Sequence, residues 1–91
     1  MRALRQFDLN LLVVFVTLMR ERHVTRAAEA LHLSQPALSH ALKRLRELLN
    51  DPLLVRTEAG MQPTPRALHL LPSVQQALKL LEEGLAPPER F

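Results

Sequence analysis

Two apolar stripes of helical period, with only His32-Leu33 between them, constrain this chain more than any other feature. Val24, Ala27, Ala28 and Leu31 fall at the 0, +3, +4 and +7 positions of one helix face. Leu38, Ala41, Leu42, Leu45, Leu48 and Leu49 form the inner face of a longer helix just after it. Thr25 reads as the cap of the first helix, which runs to about Leu31. Ser34 reads as the cap of the second, with Pro36 in the first turn, where a missing N–H costs nothing. The methyl side chains of Ala27 and Ala28 let another helix cross closely, and Leu33 is expected to plug the underside of the turn.

The flanking segments complete a small, mainly α architecture. Asp8 caps an opening helix, and Phe7 before it can staple onto Leu12. From Leu9 to Met19 nearly every side chain is apolar, so this helix should be covered on more than one side. Arg2 and Arg5 ahead of that run imitate a signal peptide, but Asp8 and Asn10 interrupt it and Arg20-Glu21-Arg22 stands where a cleavage site should be. The run is also too short to span a bilayer, so it is read as the buried helix of a cytoplasmic protein. Asn50-Asp51 before Pro52 ends the longer helix. Leu53 to Thr57 reads as a strand, Glu58-Ala59-Gly60 as a turn with Gly60 at positive φ, and Met61 to Pro63 as the returning strand.

Thr64-Pro65 starts a last helix. In it Ala67, Leu71, Val74, Leu78, Leu81 and Leu85 alternate in steps of four and three, a heptad seam suited to self-association. Pro72 should bend this helix or delay its regular part to Ser73, and Gly84 with Pro87-Pro88 should end it. The divisions expected are a head at residues 1–63, a dimerisation helix at 64–85 and the start of a hinge at 86–91.

Size and composition narrow the function. A chain of 91 residues buries only about 60% of the surface its unfolded form exposes, so small domains often need a supplement. The sequence has no cysteine, which excludes disulfides and thiolate-bound zinc. His23, His32, His40 and His69 have no compact ligand spacing, so no metal and no cofactor are expected. Self-association remains. Residues 1–66 carry ten Lys/Arg against six Asp/Glu, while residues 67–91 carry two against three, so the basic part could face a polyanion and the neutral part a protein. No Gly-rich phosphate loop, buried carboxylate pair or nucleophile beside a base is present. Asp8, Glu21, Glu29, Glu47 and Asp51 read as caps or surface charges, and the chain is not expected to be an enzyme.

Two short helices joined by a tight turn, followed by a hairpin, make a winged helix-turn-helix. The second helix fits the width of a DNA major groove. On it Gln35 suits adenine, Ser39 and His40 can bond to base edges, and Lys43 can reach guanine or phosphate. Arg56 and Thr57 would meet the backbone or minor groove. The same features occur in domains that bind no nucleic acid, where a polar helix face is simply hydrated. A protein-interaction module docking a partner on the leucine seam is the alternative, separable by the salt dependence of duplex binding.

Longer stretches narrow the choice. Phe7-Asp8-Leu9-Asn10-Leu11-Leu12-Val13-Val14-Phe15, Thr25 through Ala28, and Leu33-Ser34-Gln35-Pro36-Ala37-Leu38-Ser39 resemble LysR-type transcriptional regulators, particularly the nodulation-regulator and aromatic-acid-responsive branch. Asp51-Pro52-Leu53-Leu54-Val55-Arg56-Thr57 and Gly60-Met61-Gln62-Pro63-Thr64-Pro65 are similar to that branch's wing. The resemblance implies a sequence-specific, double-stranded-DNA-binding domain with a recognition helix at about 35–49 and a wing at about 53–63. It puts Thr25, Ser34, Gln35, Pro36, Ser39, His40 and Lys43 on the DNA face and Arg56 in the wing. It also implies a homodimer, with room for a tetramer in a full-length protein, whose last helix pairs antiparallel with its partner and packs on the first helix. Any small-molecule effector would bind a domain beyond Glu89-Arg90-Phe91. Three residues depart from the pattern: His40 for a common Arg, Asn50 for a common Gly, and Ala67 for a common Gly.

Overall fold

Each helix begins where a side chain can satisfy its first free amides. The structure is a computed structural model that describes residue 5 and residues 7–87. Helix α1 (Leu9–Glu21) starts at Asp8, whose carboxylate accepts the Asn10 N–H at 2.8 Å. Helix α3 (Gln35–Leu49) starts at Ser34, whose hydroxyl accepts from Ala37 at 3.2 Å, with Pro36 in its first turn. Helix α4 (Pro65–Gly84) starts at Thr64, whose hydroxyl accepts from Ala67 at 3.1 Å.

Helix α2 (Val24–Leu31) corrects the sequence reading. Its cap is His23, not Thr25: the imidazole Nδ1 accepts the Arg26 N–H at 3.2 Å. Arg22, at φ 50°, turns the chain at the end of α1 and brings His23 to that position. Thr25 therefore lies inside the first turn, exposed.

Between α2 and α3 the chain reverses through His32 at φ 57°, and the Leu33 amide reaches back to the Ala28 carbonyl at 2.9 Å. Leu33 does not plug the turn. It is 39% exposed and lines a shallow depression with Asn10, Val13, Val14 and Leu31. Asn50 at φ 50° closes α3, the left-handed cap for which asparagine is a fair substitute for glycine.

Strands β1 (Leu54–Thr57) and β2 (Gly60–Pro63) pair antiparallel, with Leu54 opposite Pro63 and Thr57 opposite Gly60. Gly60, at φ 99°, makes the tight return. The Thr57 hydroxyl closes the turn from both sides, accepting from Ala59 at 3.1 Å and donating to the Gly60 carbonyl at 2.9 Å.

Helix α1 is the centre of the molecule and packs against α2, α3 and α4. Leu11, Val14, Phe15, Leu18 and Met19 on α1 meet Ala27 and Ala28 on α2, Leu38, Leu42 and Leu45 on α3, and Ala67 and Val74 on α4 in one core. Coverage of Leu9–Met19 from several sides is thus realised, with Leu9 and Val13 left exposed. Each fully buried leucine contributes about 1.5–3 kcal/mol. Helix α4 runs through Pro72 without interruption, so its regular part is not delayed to Ser73. The carbonyl of Leu68 loses its partner there, and Leu68 is exposed, where water can take that place. The hinge expected at Glu89-Arg90-Phe91 lies outside the described residues.

Candidate nucleic-acid interface

The amphipathic pattern of α3 decides what the head presents. Leu38, Leu42 and Leu45 are buried, and Leu48 and Leu49 are half-buried, which fixes the opposite face outward. Gln35, Pro36, Ser39, His40 and Lys43 are all exposed on the first turns of this helix. Ser34 is exposed too, although its hydroxyl is engaged in the cap.

Thr25 and Gln35 line one open cleft together with Arg56 and Gln62 of the wing. One sequence-predicted residue from each of α2, α3 and the wing therefore meets there, whereas Ser34, Pro36, Ser39, His40 and Lys43 do not line that cleft, and Thr57 serves the wing turn through its hydroxyl. Two further basic residues of that cleft, Arg22 and Arg26, escaped the sequence reading. The signal available was their position immediately before and within the short second helix. Arg22 Nη1 donates to Gln62 Oε1 at 3.3 Å and ties the end of α1 to the second wing strand.

A polar knot behind the interface was also missed. Asp51 Oδ2 accepts from the Leu53 amide at 2.9 Å and from the Thr64 hydroxyl at 2.6 Å. Arg46 holds the same loop from the other side, donating to the Pro52 carbonyl at 2.8 Å and the Leu54 carbonyl at 3.2 Å. Leu53 is fully buried at φ 65°, a left-handed conformation that these bonds maintain. The hydroxyl of Thr64 and the amide of Leu53 hold the Asp51 carboxyl below the usual carboxylate range, with the Arg66 charge assisting against burial. Asp51 is thus neither a helix cap nor an idle surface charge.

The seam of α4 divides between two kinds of environment. Ala67 and Val74 lie in the chain's own core, and Leu71 and Leu78 are half-buried against it. Leu81 and Leu85 are 42% and 81% exposed. They border an apolar groove between α1 and α4 that also includes Leu9, Val13 and Val16. Among the described residues no group of His, Cys, Asp or Glu could hold a metal ion, and no helix is long and apolar enough to cross a membrane.

A three-helix head, a two-stranded wing beside its second and third helices, and a long helix leaving the head define a winged helix-turn-helix domain. The family model described as a bacterial regulatory helix-turn-helix protein of the lysR family matches residues 9–68, and the chain belongs to that family. It is 54% identical over 88 residues to the transcriptional activator NahR of Pseudomonas putida, covering 97% of this chain and 29% of NahR. It is 52% identical over 82 residues to the transcriptional regulator LeuO of Escherichia coli, covering 90% of this chain and 26% of LeuO.

The crystal structure of the probable transcriptional regulator PA0477 of Pseudomonas aeruginosa superposes with a TM-score of 0.87 at 52% identity, covering 93% of this chain and 28% of that one. The BenM DNA-binding domain, solved with catB site 1 DNA, superposes with a TM-score of 0.82 at 27% identity, covering 92% of this chain and 94% of that one. The chain spans less than a third of the length of NahR and LeuO. These relatives are named as regulators, not enzymes, in keeping with the residue inventory.

Proposed function

We propose that the chain reads double-stranded DNA sequence-specifically as a homodimer, with α3 in the major groove and the wing on the backbone or minor groove. The observation that carries this reading is the face of α3: Gln35, Ser39, His40 and Lys43 are exposed together above a fully apolar underside. Amide, hydroxyl and imidazole groups on the first turns of such a helix are the chemistry that base edges require. The likeness to the BenM domain, solved in complex with catB site 1 DNA, supports binding to duplex DNA. Thr25, Ser34 and Pro36 would border the groove, and Arg56 and Thr57 would lie along the adjacent strand.

Association is assigned to α4. Leu81 and Leu85, with Leu9 and Val13 across the groove, form an apolar surface that the described residues leave uncovered. Ala67, Leu71, Val74 and Leu78 set the position of that surface by holding α4 on the head. Residues 1–63 then act as the reading head, 64–85 as the pairing helix and 86–91 as the start of a hinge. In a longer protein of this family, an effector domain would follow the hinge, tetramers could form, and the site of action would be the cytoplasm, where the DNA lies.

Selection from a randomised duplex library tests the reading. The unmutated chain should recover a motif that relaxes at single positions with Gln35→Ala, Ser39→Ala or His40→Ala. Identical motifs from all four proteins would overturn α3 as the reading element. Sedimentation tests the dimer: Leu81→Glu with Leu85→Glu should give monomers. A monomeric unmutated chain at high micromolar concentration would refute self-association.

A further inference from the structure

The arginines of the described residues sort by what already holds them. Arg20 pairs with Glu21 at 3.0 Å, the only ion pair among the described residues. Arg46 is spent on the Pro52 and Leu54 carbonyls, and the Arg66 charge acts on Asp51. Arg5 and Arg44 are exposed and in no ion pair among the described residues but do not line the cleft beside Gln35, whereas Arg22, Arg26 and Arg56 are exposed, in no such pair, and all line it. The one carboxylate bordering that cleft among the described residues, Glu21, is engaged with Arg20.

Arg22 carries the argument further. It sits at φ 50°, a cap position that glycine or asparagine would fill with less strain. What the arginine provides there is reach: its guanidinium crosses to Gln62, forty residues along the chain. Gln62 is itself oriented by the bond from its Nε2 to the Ala59 carbonyl at 3.4 Å. A carboxamide is a neutral acceptor, so it positions the guanidinium without cancelling its charge. A glutamate in its place would position and quench together.

We propose that Arg22 and Arg26 join Arg56 in a guanidinium cradle for the DNA backbone, with Gln62 as the positioning residue that holds Arg22 on the wing side. The ligand is a phosphodiester, whose oxygens match guanidinium donors. Because Gln35 opens the reading helix and borders the same cleft, a phosphate seated there sets the register of α3 in the groove. The assignment rests on the DNA-binding reading above.

Duplex binding measured by fluorescence anisotropy across a range of potassium chloride concentrations tests it, with one selected and one unrelated duplex. Removing one guanidinium from a phosphate should flatten the slope of log affinity against log salt by about 0.9. Arg22→Gln and Arg26→Gln should each do so, on both duplexes alike. Arg20→Gln together with Glu21→Gln, which removes that ion pair whole and leaves no freed carboxylate in the cleft, should leave the slope unchanged. Gln62→Glu should mimic Arg22→Gln in slope without lowering the melting temperature, a result that loss of packing would not give. A wild-type slope in either Arg22→Gln or Arg26→Gln overturns the cradle, and a wild-type slope in Gln62→Glu overturns the role of Gln62. Absence of salt-dependent duplex binding by the unmutated chain overturns the DNA-binding reading and the cradle with it.

Discussion

Helices α3 and α4 start with the same device and end with opposite surfaces. Each has a hydroxyl cap, Ser34 or Thr64, followed by proline in the first turn, and each lays leucines or small apolar residues on α1. On α3 the core takes the apolar stripe and leaves amide, hydroxyl, imidazole and ammonium groups outside. On α4 the core takes Ala67 and Val74 and leaves Leu81 and Leu85 outside. The lesson is that one and the same starting device leaves the outer surface to the rest of the helix: hydrogen-bonding groups on α3, leucines on α4.

The largest effect should come from attacking what the two helices share. Leu45→Ala, at a fully buried site, should cost about 2–5 kcal/mol of unfolding free energy in denaturant titrations. Leu81→Ala should barely change the stability of the monomer while raising the dissociation constant of the proposed dimer. Equal destabilisation of the monomer by both would erase the distinction between the inner and outer parts of the apolar pattern.

Replacing a single side chain on the outer face of α3 comes next. Gln35→Ala should cost about 1–3 kcal/mol on a preferred site and little on unrelated DNA, as measured by anisotropy. An equal loss on both duplexes would move Gln35 from base reading to backbone binding.

The two caps offer a finer comparison. Ser34→Ala should cost about 1 kcal/mol, because its hydroxyl serves one amide. Thr64→Ala should cost more, because its hydroxyl also donates to Asp51. Thermal melts of the pair check the ordering, and a smaller loss at Thr64 would mean that the polar knot adds nothing to the cap.

The smallest effect is a change in the acid limb of stability. The Asp51 carboxyl is held below its usual range, so its contribution is fully present above the ordinary carboxylate pKa and is lost as pH falls through the lowered native value. Asp51→Asn should flatten the dependence of melting temperature on pH in that acid window. An unchanged profile would show that other carboxylates govern it.

What the sequence discloses here is local chemistry. Asp8, Ser34, Thr64, Asn50 and Gly60 act within a few residues of themselves, so cap and turn rules find them. His23 was missed as a cap because imidazole is an uncommon choice that accepts only through an unprotonated nitrogen. The bond from Arg22 to Gln62 and the knot of Asp51, Arg46 and Thr64 join separate elements, and no periodicity announces them. The heptad seam was legible as apolar spacing, but spacing alone does not separate residues that a chain covers itself from those it leaves for another. Ala67 and Val74 fell on one side of that line and Leu81 and Leu85 on the other.

One carboxylate oxygen of Asp51 touches both Leu53, where the chain leaves α3 for the wing, and Thr64, where α4 begins. That junction ties the base of α4 to the loop that follows α3. A helix of 20 residues is about 30 Å long, so tilting its far end by about 5 Å rotates its axis by about 10°. With its base held by Arg46, Asp51 and Thr64 and with Ala67 and Val74 buried in the shared core, such a tilt would carry the three-helix head with it as one body.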